Sequence, residues 1–512
     1  MSLLARPLPF IRSRAVTPAM IRLVCGTATL AAMGGGLAAC DTGLSIPGFD
    51  DGASTSHVST SRNAQTGGTA GPTDIETAVI PGVAGEPEMR VRLRDAATTV
   101  KLGVSMGETV WVVPADGSRP AASMRSPVSV SLDATNWTLT DAAGLMARYP
   151  RGTEIDVAPE RDMLNPGNAR TSGAGVVGGA GSLARAATAS NLAPKVTVDG
   201  GKFGGKLLLQ TRSDMTARSF DVIEQVGVED YLKGVVMAEM FPNWPLESYC
   251  CQAVCARSYA LHQRANARSL GQKFDVESSV KDQAYKGAVD VGPAVDAVKA
   301  TEGVILTWNG QVLRAYYSST CGGRPGSAKD IWPTTRGYEY NLAGPLQAVG
   351  PGAIGMRDAT LGTSSPYYRW SAARSRAEAV SRLKEWGRIN GHPIKALGGL
   401  TAITLTDSAP SGRPSKFTVT GAGQSFQISA EQLRFALNQD VKGLPTITRE
   451  TRVNSGDLEA NIVGEVVNIK GRGFGHGVGM CQYSAKELAD KGKTWREIVP
   501  VFYPGAKMEK AY

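Results

Sequence analysis

Apolar side chains recur at helical spacing in three parts of the chain. In residues 228–240 they fall at the i, i+3, i+4, i+7, i+8 and i+12 positions of one face, which predicts an amphipathic helix. A second predicted helix covers 245–266 and starts at Pro245, because proline is favoured in the first turn. A third helical region is predicted over 481–502.

Other segments alternate apolar and polar residues or form short apolar runs, which predicts β-strands. The predicted strands start near Met89, Val110 and Val128 and continue at 195–198, 206–209, 220–223, 303–308, 312–317, 402–406, 416–420 and 463–469. Strands and helices come in blocks and do not alternate strictly. This order favours an α+β fold with a small β-rich N-terminal part over a doubly wound sheet.

The N-terminal segment has the layout of an export signal. Residues 1–39 contain four arginines and no acidic residue, and an apolar run rich in Gly and Ala leads to Cys40. The sequence Leu-Ala-Ala-Cys at this point is similar to a bacterial lipobox, so we expect a lipid on Cys40. The prediction is an exported lipoprotein of the cell envelope, anchored to a membrane and facing the periplasm or cell wall.

The predicted removal of this signal lowers the net charge from which binding partners are inferred. The net charge of the 512-residue chain is +9, and the four signal arginines account for the fall to +5 in the remainder. Such a balance is ordinary for this size, so nucleic acid is not an expected partner. Cys and His residues do not cluster at zinc spacing, and neither a metal nor a cofactor is expected.

Composition divides the chain into five predicted regions. They are a signal peptide (1–39), a flexible tether (40–85), a β-rich region (86–164), a Gly/Ala-rich linker (165–193) and a larger domain (194–512).

Two charged residues interrupt the apolar helix faces. Glu239 occupies position i+11 of the first helix, where burial would raise the pKa of its carboxyl and suit a general acid. Alternatively, it lies in a frayed last turn and reaches water. Arg257 lies on the small-residue face of the second helix, and it either forms a structural salt bridge or projects into a cleft.

Two glycine-containing segments are also candidate site elements. Glycine occupies every second position from Gly471 to Gly479, which in an extended chain leaves one face bare and places His476 on the other. The segment Ser318–Gly323 follows a predicted strand and is typical of a turn with exposed donors.

Four sequence blocks together resemble the sporulation stage II protein D / amidase-enhancer (SpoIID/LytB) family of bacterial cell-wall proteins. The blocks are 228–240 with 245–260, 282–287, 315–323 with 365–370, and 471–483 with 503–505. The resemblance covers about 200–512 and includes the predicted strands from 89.

This resemblance implies roles for particular residues. The family's catalytic acid maps to Glu239, and its Ala-Arg-x-Tyr-Ala motif maps to Arg257 and Tyr259. Further expected substrate-binding residues are Gln283, Tyr285, Ser319, Thr320, Gly322, Gly323, Gly475, His476 and Gln482. Cys321 and Cys481 lie in blocks expected to meet, so we predict that they are close, as a disulfide or as two thiols. The family usually has His at the position of Ser318, so any role of that histidine does not transfer to this chain.

The expected activity is that of a peptidoglycan lytic transglycosylase, a lyase of the glycan strand. Such an enzyme uses the C6 hydroxyl of N-acetylmuramic acid as the nucleophile, so one Glu serves as acid and then base and the product ends in a 1,6-anhydro sugar. The alternative is a non-catalytic peptidoglycan-binding protein that enhances a partner amidase.

Overall fold

The computed structural model describes residues 85–105, 109–115, 122–159, 195–212, 218–348 and 361–512. The predicted signal peptide, Cys40, the tether up to residue 84 and the predicted linker 165–193 lie outside these residues.

The described residues form an α+β fold, which confirms the predicted fold class. The helices are α1 Val228–Glu239, α2 Leu246–Ser269, α3 Pro293–Ala300, α4 Ala328–Ile331, α5 Arg376–Ile389, α6 Ala430–Leu437, α7 Gln482–Asp490 and α8 Trp495–Phe502, with 3₁₀ turns at Glu339–Leu342, Gly344–Leu346 and Pro393–Ala396.

Short strands dominate the N-terminal part. The strands are β1 Glu88–Ala97, β2 Thr99–Val104, β3 Thr109–Pro114, β4 Ala122–Arg125, β5 Val128–Leu132, β6 Asn136–Thr140, β7 Met146–Pro150, β8 Ile155–Pro159, β9 Val196–Val198, β10 Gly201–Phe203, β11 Lys206–Thr211, β12 Phe220–Gly227, β13 Val276–Glu277, β14 Val304–Trp308, β15 Gln311–Val312, β16 Tyr317–Ser318, β17 Arg369–Ser375, β18 Ala402–Ser408, β19 Pro414–Gly421, β20 Gln424–Ser429, β21 Leu458–Val463, β22 Val466–Arg472, β23 Met480–Cys481 and β24 Lys507–Lys510.

Two large sheets and the central helices share one hydrophobic core. The first sheet has the order β13-β1-β12-β11-β8-β3-β4, and the second has the order β10-β9-β2-β5-β6-β7. Alternate residues of strands such as β3 and β6 are buried, as period-two patterning requires. Helix α1 follows β12 without a connecting loop, so its apolar face enters this core directly.

A second core lies within residues 369–472. Helices α5 and α6 pack there with the sheets β17-β22-β21 and β18-β19-β20 around Leu383, Phe417 and Leu433. The sequence pattern did not predict either helix, although each has a serine N-cap. Ser375 accepts from the Glu378 amide, and Ser429 forms a capping box with Gln432.

Three predicted elements differ in their details. The expected strand over 312–317 is interrupted, because β15 ends at Val312 and β16 begins at Tyr317. The expected strand 463–469 is part of the β21–β22 hairpin. The helical region 481–502 is split into α7 and α8 near Gly492, whose φ is +80°. None of the helices in the described residues is long and apolar enough to span a membrane.

Candidate active site around Glu239

Glu239 is the last residue of α1 and is almost fully buried, with 4% of its surface exposed. Its Oε1 accepts a hydrogen bond from the Ala284 amide (3.0 Å), while its Oε2 is buried without a hydrogen-bond partner. Burial raises the pKa of this carboxyl to about 8, although the Ala284 amide, Gln482 and Tyr317 oppose the rise. Glu239 therefore carries a proton at neutral pH, as a general acid must. The frayed-turn alternative does not fit this burial.

Two glutamine side chains form hydrogen bonds with groups around Glu239 and hold them in place. Gln482 Nε2 donates to the Glu239 carbonyl oxygen (3.4 Å) and to Gln252 Oε1 (3.2 Å). Gln283 Nε2 donates to the Tyr317 hydroxyl (3.1 Å), and that tyrosine in turn lies against the Glu239 carboxyl. These bonds join α1, α2, α7 and the 282–285 loop, so the acid is held by parts of the chain distant in sequence.

Tyr317 also lines a pocket of about 260 Å³, whereas Glu239 is not among the residues that line it. Its walls include Tyr259, Arg314, Tyr316 and His476 as well as Tyr317 itself. Tyr317 thus contacts both the pocket and the Glu239 carboxyl. A concave site with aromatic walls and few polar groups is the usual form of a ligand site.

Several residues expected to bind substrate do not line this pocket. Tyr285 is buried, and its ring lies where a Cβ on Gly234 would clash. Ser319 and Thr320 are buried in the wall, where the Ser319 carbonyl accepts from the Tyr483 amide. Gly322, Gly323 and Gly475 have φ values of +64°, +84° and +93°. These positive φ values require glycine, and a Cβ on Gly322 would also meet the Arg472–Gly473 backbone.

Arg257 also does not line the pocket. It is fully buried and pairs with Glu229 through Nε–Oε1 (2.8 Å) and Nη2–Oε2 (2.7 Å), and it donates to the Val298 and Val304 carbonyls. The sequence left open whether Arg257 forms a structural salt bridge or projects into a cleft. The salt bridge is observed, and the cleft-lining alternative is wrong.

The glycine run is not the extended strand expected from its alternation. Strand β22 ends at Arg472, and Gly473, Gly475, Gly477 and Gly479 all have positive φ, between +68° and +93°. Only glycine adopts this left-handed region freely. The expected close approach is present, because a Cβ on Gly479 would lie 2.0 Å from the Tyr316 carbonyl oxygen.

His476 lines the pocket as a neutral ring. Its Nδ1 accepts from the Val478 amide (3.0 Å), and the ring also hydrogen-bonds the Tyr317 backbone. Burial lowers its pKa to about 3. A ring held in this way positions Tyr317 and is poorly suited to take up a proton near neutral pH.

The thiols of Cys321 and Cys481 lie within hydrogen-bonding reach of each other, as free cysteines. The parallel pairing of β16 with β23 sets Ser318 opposite Cys481 and so brings the two blocks together.

Ser318, at the position of the family histidine, has a buried Oγ without a partner. In the described residues no group of three or more His, Cys, Asp or Glu could hold a metal ion.

Phe241 and Trp244, which follow Glu239 along the chain, form a cluster of three aromatic rings with Tyr483. Trp244 contacts Phe241 (ring centroids 5.1 Å apart) and Tyr483 (4.9 Å), and all three rings are partly exposed. Tyr483 directly follows Gln482, which binds the Glu239 carbonyl. This cluster, Tyr317 and Arg314 were not predicted from the sequence, since no periodic pattern brings them together.

Comparison with known proteins finds similarity to one family of cell-wall proteins. Residues 216–308 match the family model of SpoIID, the stage II sporulation protein, and this segment contains α1, α2 and Glu239. The stage II sporulation protein D of Bacillus subtilis is 26% identical over 303 residues, covering 56% of this chain and 76% of the relative. The chain thus resembles the SpoIID/LytB family.

Two further relatives extend the SpoIID match. An uncharacterized protein of Brachyspira hyodysenteriae is 27% identical over 311 residues, covering 60% of this chain and 73% of its own length. The amidase enhancer of Bacillus subtilis is 25% identical over 298 residues, covering 54% of this chain and 40% of the enhancer. Residues 356–479, which contain the second core, match a domain family of unknown function.

Proposed function

We propose that this protein is a lytic transglycosylase of peptidoglycan with Glu239 as its catalytic residue. Similarity to the SpoIID family model and to the named relatives supports a cell-wall-related role. The observation that carries the finer proposal is the state of Glu239, a buried carboxyl with a pKa of about 8, one oxygen bound to an amide and the other without a partner. A lipid anchor on Cys40 remains part of the proposal, as does a location in the envelope.

The proposed reaction needs no external nucleophile. Glu239 donates its proton to the glycosidic oxygen as the C1–O4 bond breaks. The resulting carboxylate then removes the proton of the C6 hydroxyl while O6 bonds to C1, which leaves a 1,6-anhydro end and restores the acid. Tyr317 and the Ala284 amide keep the carboxyl in place through both steps.

A two-carboxylate hydrolase is the competing chemistry. Asp282 lines the pocket and would have to supply the second carboxylate. Both its oxygens are already bonded, because Oδ1 accepts from the Tyr259 hydroxyl (3.0 Å) and Oδ2 from the Glu277 amide (2.9 Å). This engagement favours the single-acid reaction.

Product analysis tests the proposal directly. Purified protein and the Glu239→Gln variant are incubated with glycan strands, and the ends are identified by mass spectrometry. We expect anhydromuramyl ends from the wild type and at least a 100-fold lower rate from the variant. Reducing ends instead would indicate hydrolysis, and unchanged anhydro ends from Glu239→Gln would exclude Glu239 as the acid.

The amidase-enhancer alternative is supported by the name of one relative. It predicts that neither protein cleaves glycan, and that both stimulate a cell-wall amidase equally. A coupled amidase assay with the same two proteins therefore separates the two functions.

A further inference from the structure

Arg314 lies between β15 and β16, in the wall of the 260 Å³ pocket. Its guanidinium is held over the rings of Tyr259, Tyr316 and Tyr340, with its central carbon 4.8, 5.5 and 5.1 Å from the ring centroids. Nη1 donates to Gln263 Oε1 (2.5 Å), and Nη2 donates to the Tyr259 hydroxyl (3.0 Å). The side chain is therefore fixed before any ligand arrives.

All of these partners are neutral. In the described residues the hydrogen bonds of the Arg314 guanidinium go to Gln263 and to the hydroxyls of Tyr259 and Tyr340, and its Nε is buried without a hydrogen-bond partner. The Asp282 carboxylate is separated from Arg314 by the Tyr259 hydroxyl, which donates to that carboxylate. Arg314 is half-buried, and withdrawing a guanidinium from water without a direct anion is costly. Bidentate carboxylate binding is its preferred interaction.

We infer that Arg314 binds a carboxylate of the glycan ligand in this pocket. The inference rests on the proposed function, because muramic acid is a sugar of peptidoglycan that carries a carboxylate. The carboxylate comes either from the lactyl group of a muramic acid without peptide or from a stem peptide attached to it. Both sources offer the same planar anion to the guanidinium.

The position of Arg314 makes this contact useful for cleavage. Tyr317 is shared between the pocket and the Glu239 carboxyl. A muramic acid held by its carboxylate at Arg314 is therefore anchored on the pocket side of the tyrosine that contacts the acid. Arg314 would act as a binding and positioning residue that places one particular sugar and does not itself transfer a proton.

Binding is measured in the Glu239→Gln background, where cleavage does not obscure it. The ligands for calorimetry are peptide-free glycan strands, peptide-bearing strands and a neutral N-acetylglucosamine oligomer. We expect Arg314→Gln to weaken binding of at least one carboxylate-bearing strand about tenfold or more, with the neutral oligomer unaffected. The strand that loses affinity identifies the source of the carboxylate. Arg388→Gln, which removes the same charge from an exposed pair with Glu385, is the matched control.

A second measurement leaves Arg314 intact and so does not depend on the variant folding. The carboxylates of each strand are reduced to alcohols, and binding to Glu239→Gln is measured again. Loss of about tenfold in affinity supports the inference. Equal binding of native and reduced strands of both kinds overturns it. This failure is distinct from failure of the proposed function, which is decided by the products of the wild-type protein.

Discussion

Arg257 and Glu229 form a buried ion pair with two nearly parallel bonds, Nε–Oε1 of 2.8 Å and Nη2–Oε2 of 2.7 Å. The pair fastens α2 to the start of α1, and the Gly303 amide and the Tyr512 hydroxyl also donate to Glu229. The motif arginine thus stabilises the helix that carries Glu239. Its contacts lie away from the pocket.

We expect Arg257→Gln to lower the free energy of unfolding by about 3–5 kcal/mol, because it leaves Glu229 buried without its partner. Urea unfolding measures this loss. Arg388→Gln, at an exposed pair, should change stability by less than about 1 kcal/mol. A stable Arg257→Gln protein that has lost only activity would contradict this structural role.

Glu239→Gln should stabilise the protein at neutral pH. The pKa of Glu239 rises from 4.5 to about 8 on burial, so between these values the folded state keeps a proton that the unfolded chain releases. Wild-type stability therefore falls with rising pH by about 1.4 kcal/mol per unit over this window, and the glutamine avoids the loss. Urea unfolding at pH 4.5 and pH 7.5 should show a gain that is largest at the higher pH, of about 3–4 kcal/mol.

Glu497→Gln provides a control of opposite sign. The Lys493 side chain and the Thr494 amide lower the pKa of Glu497 to about 2, so its contribution is present above its unfolded pKa and is lost in acid. The variant should therefore be less stable than wild type at pH 7.5. A pH-independent effect of Glu239→Gln would show that Glu239 is ionised in the folded protein.

Trp244→Ala should weaken substrate binding. The partly exposed rings of Trp244, Phe241 and Tyr483 lie beside the Glu239 region and offer apolar faces to the C–H faces of a sugar. We expect KM for glycan strands to rise about tenfold with a smaller change in kcat. Phe426→Ala, at a partly buried ring of the second core, is the control and should leave KM unchanged. Equal KM values for both variants would exclude a role of the rings in binding.

Gly479→Ala should destabilise the protein more than an alanine substitution at another glycine with a positive φ. Its Cβ would lie 2.0 Å from the Tyr316 carbonyl oxygen, whereas a Cβ on Gly464 meets nothing within 4 Å. Gly464→Ala should cost about 1–2 kcal/mol from the positive φ alone. Gly479→Ala should cost about 1–3 kcal/mol in addition, because the backbone must move. Thermal unfolding of the two variants measures the difference, and equal losses would contradict the close approach.

The sequence predicted those features that depend on local periodicity. The apolar stripe of α1 repeats every three to four residues, so the helix and its buried face follow from neighbours along the chain. The pattern left open whether Glu239 is buried or reaches water, and the structure shows it buried. The α+β class followed from the order of blocks. The helices of the second core were missed although Ser375 and Ser429 carried capping signals.

Tertiary structure alone decided which side chains meet. Arg257 could pair or project from its helix face, and the packing of α2 on α1 placed Glu229 within 2.8 Å of it. The alternation of Gly471–Gly479 fitted a strand, yet the close approach of the Tyr316 backbone selected left-handed conformations. Tyr317 is placed by the pairing of β16 with β23 across more than 160 residues of sequence, and Arg314 meets Gln263 and Tyr259 of α2. Such contacts depend on how elements pack, and the pattern within one element carries no information about its partner.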